Sequence, residues 1–340
     1  MKIDLLCNDG SPLGITSKTL WGDSKRIGIG GAEYALITMC EAWAKAGHEV
    51  VLYNNPWEAD ASPFEQRFIS AFNPQDNRDV LIIFRSPNPM GVEATGLKVW
   101  WSCDQKSVGD FKGFAPLVDK IVCISDFHMN YFKTTYGIEN SIVIDLPVRV
   151  DDYEGKDIEK VKHQCLFSSV PDRGLHVLGR MWPAIVEAIP DAHVVITSDY
   201  RLWGAGAMNE KHRLYWMKLK NFTFLGAVPR ARLIEEELKA ELLPYPCMYE
   251  ELFCIAVAEA QVAGCYPITT LIGALEETNM GALIDTVAPN QKDDKRFSDL
   301  VIQFLLDENL RSKSVELQRM ARERFSPQRI LKEWDRKVFQ

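Results

Sequence analysis

Short apolar runs alternate with amphipathic stretches along most of the chain. In the first half the runs Lys2–Cys7, Glu49–Tyr53, Asp79–Phe84, Lys98–Ser102, Lys120–Ser125 and Ser141–Leu146 are rich in Val, Ile and Leu. Each is nearly continuous, as parallel strands buried on both faces should be. Helical periodicity falls between them at Ala32–Ala46, about Asp110–Val118, and Asp126–Tyr136. The segment Pro147–Lys162 breaks the rhythm with two successive aspartates and no apolar run, and reads as a connector.

The pattern then restarts. Strands are predicted at His163–Ser169, His193–Ser198, Phe222–Leu225, Glu241–Tyr245 and Tyr266–Thr270. Helices are predicted at Leu175–Ile189, about Ala207–Leu219, Arg230–Ala240 and Phe253–Ala263. From about Asp293 the chain reads as helical, with Pro327 opening a last amphipathic segment to Gln340. The expected architecture is α/β: two Rossmann-like doubly wound parallel-sheet domains facing a cleft, with a C-terminal helical tail. The expected boundaries are 1–150, 151–325, and a helix at 326–340 packing back on the first domain. Ligands of such sheets bind at the carboxyl ends of the strands.

Composition narrows the class without naming a chemistry. A chain of 340 residues has room for two domains with proper cores. With 46% hydrophobic and 25% charged residues it is neither disordered, collagen-like nor a coiled coil. A net charge of −8 argues against a nucleic-acid partner. The eight cysteines form no Cys-x-x-Cys pair and do not cluster with the six histidines, which fits small buried hydrophobes in a reducing compartment. No apolar run approaches the roughly 18 residues of a membrane span, and the first residues lack the features of a signal peptide. The expected location is the cytoplasm, with a peripheral membrane contact left open.

Three stretches carry candidate chemistry. Pro244–Thr270, PYPCMYEELFCIAVAEAQVAGCYPITT, places Glu251 and Glu259 before and within a predicted helix. By spacing alone they read equally as a helix-end carboxylate and a solvated one. Phe167–Leu178, FSSVPDRGLHVL, follows the first strand of the second half. The glycine loop Gly28-Ile29-Gly30-Gly31-Ala32-Glu33 opens the first long helix, but Glu33 stands where a dinucleotide fingerprint needs its third glycine. There is no Asp-x-Asp, Walker loop, Gly-x-Ser-x-Gly or His-Glu-x-x-His.

Together these stretches resemble retaining glycosyltransferases of family 4, with their GT-B type fold and Glu-x7-Glu signature. The usual Glu-Gly-Phe-Gly stands here as Glu251-Leu252-Phe253-Cys254, so two glycines are replaced. The usual Arg at the first strand end is a Ser, here Ser168, and the usual Lys is Arg173. The resemblance implies that Glu251 and Arg173 carry catalysis. It implies donor contacts from Gly30, Gly31, Ser168, Val228, Arg230, Phe253, Cys254, Ile255 and Glu259. Asp104 and Ser125 would lie on the acceptor side, although the His that relatives carry beside Asp104 is absent. Trp21, Trp57, Trp100, Trp101 and Trp203 are candidates for stacking on sugar rings or for core packing.

The implied reaction moves a sugar from a UDP- or GDP-sugar to an acceptor hydroxyl of a carbohydrate or glycoconjugate, with retention and without metal or cofactor. The leaving diphosphate would help deprotonate the acceptor from the front face. A non-catalytic nucleotide-sugar-binding homologue and a GT-B-fold epimerase are the alternatives.

Overall fold

The structure is a computed structural model that describes residues 1–8, 13–22, 28–58, 61–106, 108–203, 205–210, 216–286 and 291–340. It divides into two compact units: Met1–Trp21, Ile29–Pro147 and Phe325–Gln340 in the first, Val148–Arg324 with Gly22–Gly28 in the second.

Unit 1 holds a parallel sheet of β1 (Lys2–Leu6), β2 (Glu49–Tyr53), β3 (Glu65–Arg67), β4 (Val80–Phe84), β5 (Leu97–Trp101), β6 (Lys120–Cys123) and β7 (Ser141–Val143). Their spatial order is β3-β2-β1-β4-β5-β6-β7. Every residue of β4 is buried, which explains its unbroken Val-Leu-Ile-Ile-Phe run. The helices are α1 (Ser17–Leu20), α2 (Gly31–Lys45), α3 (Phe111–Phe114) and α4 (Asp126–Tyr136). α4 starts where the Ser125 side chain accepts the His128 backbone N–H at 2.9 Å, and stops at Gly137 in the left-handed region.

Unit 2 repeats the plan with β8 (Gln164–Phe167), β9 (His193–Ile196), β10 (Phe222–Phe224), β11 (Leu242–Tyr245), β12 (Tyr266–Thr270) and β13 (Ala282–Ile284). These are again parallel, in the order β10-β9-β8-β11-β12-β13. Its helices are α5 (Leu175–Ala188), α6 (Arg230–Lys239), α7 (Ile255–Val262), α8 (Leu275–Thr278), α9 (Gln291–Leu305) and α10 (Leu310–Phe325). α11 (Pro327–Trp334) and a π turn at Asp335–Phe339 return to unit 1. There Trp334 meets Trp43 and Trp101 edge-on at 5.2 and 5.3 Å. Lys337 Nζ donates to Val143 O, and Lys120 Nζ to Val338 O, at 2.7 and 2.6 Å.

The periodic reading finds the alternation and the edge strands β7 and β10, and misses the other two edges. β3 and β13 are three-residue edge strands, β3 burying only Gln66 and β13 only Ile284, too short to leave a pattern. The helix expected at about Ala207–Leu219 falls partly outside the described residues; within the described part a 3₁₀ turn at Gly206–Met208 leads into helical backbone at Asn209 and Glu210, and Trp216 is helical again. The polar stretch Pro147–Lys162, read as a connector, buries Val148, Val150 and Tyr153 around a 3₁₀ turn.

Candidate active site

In the second sheet the chain order reverses between the neighbouring strands β8 and β11. Loops that diverge from such a pair leave a crevice at the strands' carboxyl ends. Both candidate catalytic residues come from those two loops. After β8, Pro171–Arg173 forms a single 3₁₀ turn that ends on Gly174 at φ +109°. A Cβ at Gly174 would stand 2.2 Å from Pro246 O, so only glycine lets this turn press against the exit of β11. That approach brings Arg173 Nε to 3.2 Å from Glu251 Oε1. The Arg173 guanidinium also lies 3.5 Å from the centroid of the Tyr249 ring, a cation–π contact.

Glu251 is held from three sides. The Tyr245 hydroxyl, at the end of β11, donates to Oε1 at 2.8 Å. Ala274 N–H donates to the Glu251 carbonyl at 2.7 Å, and a Cβ on Gly273 would stand 2.3 Å from that same oxygen. Arg173 and Tyr245 both use Oε1, and among the described residues Oε2 accepts no hydrogen bond. Burial pushes the carboxyl above its usual value, while Arg173 and the Tyr245 hydrogen bond pull the other way. The neighbouring thiol of Cys247 is pushed up to about 12 by burial and by Glu251, and Cys254 moves in the same direction. Both are therefore protonated at neutral pH and poor nucleophiles.

The predicted helix after Glu251 begins two residues later than the sequence suggests. Phe253 is buried, Cys254 is the N-cap, and Ile255 is the first residue of α7. Cys254 takes φ +75°, a left-handed conformation unusual for a residue with a Cβ. The glycine expected here by resemblance is gone, but the backbone geometry a glycine would serve is kept.

Glu259, on α7, sits in a buried charge network. Arg230 Nη1 donates to Glu259 Oε1 at 2.8 Å, and Arg230 Nε to Asp152 Oδ2 at 3.1 Å. Arg149 Nε reaches the same Asp152 oxygen at 3.0 Å. Glu237 is buried close by and accepts from the Tyr153 hydroxyl at 2.6 Å; burial and the Glu259 charge raise its carboxyl well above the usual range. Arg230, expected to contact the donor, is thus engaged with two carboxylates. Val228 lies in the turn just before it, and its carbonyl would be 3.5 Å from a Cβ on Gly28.

Ser168 lies at the end of β8, and its hydroxyl is buried without a hydrogen-bond partner. The hydroxyls of Thr197 and Ser198, at the end of the neighbouring strand β9, are in the same condition. The sequence reading did not single out Thr197, Ser198, Tyr245, Tyr249 or Gly273. Tyr245 and Tyr249 flank Glu251 in Pro-Tyr-Pro-Cys-Met-Tyr-Glu-Glu, a local signal for them; Gly273 is distant in sequence and had none.

In unit 1, Gly30 caps α2 and Gly31 is its first residue; a Cβ at Gly30 would stand 2.6 Å from a carboxylate oxygen of the buried Glu33. Asp104 Oδ2 accepts from Arg85 Nε and Nη2 at 3.2 and 3.1 Å. Ser125 is buried and its hydroxyl oxygen is engaged as the cap of α4. Trp100 and Trp101 are core residues, so neither offers a ring face to a sugar, whereas Trp21 and Trp57 are exposed. Among the described residues no His, Cys, Asp and Glu side chains gather into a metal-binding group, and no helix is long and apolar enough to cross a membrane.

Residues 166–321 match the family model for glycosyl transferases group 1. No curated protein matches the chain in sequence. Among solved structures, that of Anabaena HepE in complex with UDP and glucose superposes with a TM-score of 0.71 over 100% of both chains at 15% identity. Sucrose-phosphate synthase from Thermosynechococcus elongatus gives 0.68 over 99% of both chains at 14% identity. WaaG, a glycosyltransferase of lipopolysaccharide biosynthesis, gives 0.65 over 99% of this chain and 100% of its own at 17% identity. At these identities the likeness is one of fold. The chain has the GT-B fold of these structures, and its residues 166–321 are similar to the glycosyl transferases group 1 family.

Proposed function

We propose that the protein transfers a sugar from a nucleotide-sugar donor, UDP- or GDP-linked, to an acceptor hydroxyl, with retention at the anomeric carbon and without a metal ion. The observation that carries this reading is the Arg173–Glu251 pair at the reversal of the second sheet, with Glu251 Oε2 left to accept from a sugar hydroxyl. Support for the donor class comes from the group 1 match and from a structural neighbour solved with UDP and glucose.

In this reading Arg173 and the backbone N–H groups at the start of α7 face the diphosphate, where negative charge grows as the glycosidic phosphate bond breaks. Glu251 fixes the donor sugar, and Glu259 meets the ribose. The acceptor oxygen forms its bond to the anomeric carbon on the face the diphosphate leaves. Its proton passes to a phosphate oxygen of the departing nucleoside diphosphate. Arg173 takes the charge-balancing part that a divalent cation plays elsewhere.

The test is turnover with UDP- and GDP-sugars over a panel of glycoside acceptors, with the anomeric configuration read by NMR. Glu251→Gln keeps the shape, removes the charge and should lower the rate by about 10²–10³. Addition of EDTA should leave the wild-type rate unchanged. Nucleotide-sugar binding with no turnover on any acceptor would establish a binding homologue instead, and inversion at the anomeric carbon would refute the mechanism.

A further inference from the structure

At the carboxyl ends of β9 and β10, a second ion pair grips a backbone turn. Asp199 is 1% exposed. Its Oδ2 accepts from Ala227 N–H at 3.0 Å and from Arg201 Nε at 2.8 Å, while Oδ1 accepts from Arg201 N–H at 2.7 Å. Arg201 Nη2 in turn donates to Ala227 O at 3.1 Å. Both polar groups of the Ala227 main chain are thereby taken, one by each member of the pair.

Gly226 makes the grip feasible. It lies at φ +73°, and a Cβ would stand 2.4 Å from Asp199 Oδ2 and 2.8 Å from Arg201 Nη2. The next turn of chain, Val228 and Pro229, leads into α6, and its other side meets Gly28. A Cβ on Gly28 would stand 2.8 Å from the Leu202 side chain. The turn 226–229 is thus fixed by a charged pair that lies outside the Arg173–Glu251 site.

We propose that Asp199 and Arg201 are positioning residues that set which nucleoside diphosphate the donor site accepts. This rests on the proposed donor reading and on the resemblance, which implies that the strand–turn Phe224–Arg230 borders the nucleotide base. Satisfying both Ala227 groups internally removes them from base recognition and holds the neighbouring peptide groups in one orientation. A wall with one orientation selects among bases by the placement of its donors and acceptors. The pair bonds with Ala227 and not with Arg173 or the start of α7, so its effect is expected on base discrimination before diphosphate binding.

The experiment is calorimetric titration of the full chain with UDP, GDP, ADP and inorganic pyrophosphate. The variants are Arg201→Ala, Arg201→Lys, Asp199→Asn and Gly226→Ala. The Arg201 side chain is 42% exposed, so its truncation leaves the fold intact even if Asp199→Asn does not. The wild type should prefer one nucleotide, and Arg201→Ala should reduce that preference about tenfold with pyrophosphate affinity unchanged. Arg201→Lys keeps a cation beside Asp199 and should restore part of the preference. In turnover, KM for the donor should rise in Arg201→Ala while kcat stays close to wild type. A selective wild type with unchanged selectivity in Arg201→Ala and Gly226→Ala would overturn the inference alone. Equal weakening of all four ligands together with a lowered melting temperature would reduce the pair to a structural role and overturn it as well. Absence of nucleotide binding by the wild type would overturn the donor reading, and this inference with it.

Discussion

The two units share a topology and differ in what they bury. Unit 1 closes its core with aromatic rings: Trp43, Trp101 and Trp334 pack edge-on, and Trp100 meets Phe111, Phe114 and Phe132 within 5.0–5.5 Å. Unit 1 also buries an ion pair, Arg78 with Asp4 at 2.7 Å, whereas unit 2 buries a larger network, with Arg230, Glu237 and Glu259 all at or below 5% exposure. A buried ion network is a poor source of stability, because desolvation consumes most of the Coulombic gain. Its presence in the unit that holds the Arg173–Glu251 pair therefore points to placement of groups, whereas the rings of unit 1 point to stability.

The largest effect is expected from Trp334→Ala. Removing this buried ring should cost unit 1 about 3–5 kcal/mol, because the space left by Trp43 and Trp101 cannot collapse fully. Chemical denaturation followed by tryptophan fluorescence measures the loss, while calorimetry checks that nucleotide binding to the protein still folded is retained. Equal loss of binding would erase the division of labour.

Arg230→Met should follow, at about 3 kcal/mol, because it leaves Asp152 and Glu259 without their shared cation. Replacing Arg230 and Glu259 together by Met and Leu should recover much of that stability and none of the nucleotide affinity. Recovery of both in the double variant would mean that the network is structural.

How much of this was legible follows from the same contrast. The strands at Glu49–Tyr53 and Tyr266–Thr270 and the helix Asp126–Tyr136 agree residue for residue with the periodic reading, because burial on both faces or a capped amphipathic face leaves a strong local pattern. Arg173 and Glu251 were found through motif resemblance, and the structure brings them together. The grip of Asp199 and Arg201 on Ala227, and the support of Glu251 by Gly273, join segments more than 20 residues apart through backbone atoms, which no residue pattern records. Arg230 was legible as a position, but its ion pair with Asp152 joins residues 78 apart and left no local pattern to find.

Mild acid separates the units by sign. Burial holds His128 in unit 1 neutral and pushes its value down to about 3. The unfolded chain therefore binds more protons than the folded one between pH 6.5 and 3, and stability present above pH 6.5 is lost as pH falls. At pH 5 the loss should be about 2 kcal/mol. In unit 2, burial raises Glu237 and Glu251, so the folded form binds more protons and these groups favour folding as pH falls from their raised values. Urea titrations at pH 7 and pH 5 should show the His128→Gln variant losing less stability than the wild type over that interval. An identical loss in both proteins would remove His128 as the cause.

The smallest difference concerns backbone strain, which each unit places at the carboxyl edge of its sheet. Arg85 follows β4 at φ +67°, held by Trp100 Nε1 on its carbonyl at 2.9 Å and by its own N–H on Trp101 O at 2.8 Å. Cys254 precedes α7 at φ +75°. A left-handed residue with a Cβ costs about 1 kcal/mol relative to glycine. Comparing Cys254→Gly with Cys254→Ala cancels the lost thiol and isolates that term. The glycine variant should be more stable by about 1 kcal/mol, the reverse of the order found where backbone is unstrained. The same comparison at Arg85 should give the same sign in unit 1, but only Cys254 adjoins the Glu251 loop. A change in donor KM between the two Cys254 variants, with none between the two Arg85 variants, would place the functional consequence of strain in unit 2; equal changes in both pairs would show that the edge geometry of the two sheets serves the donor alike.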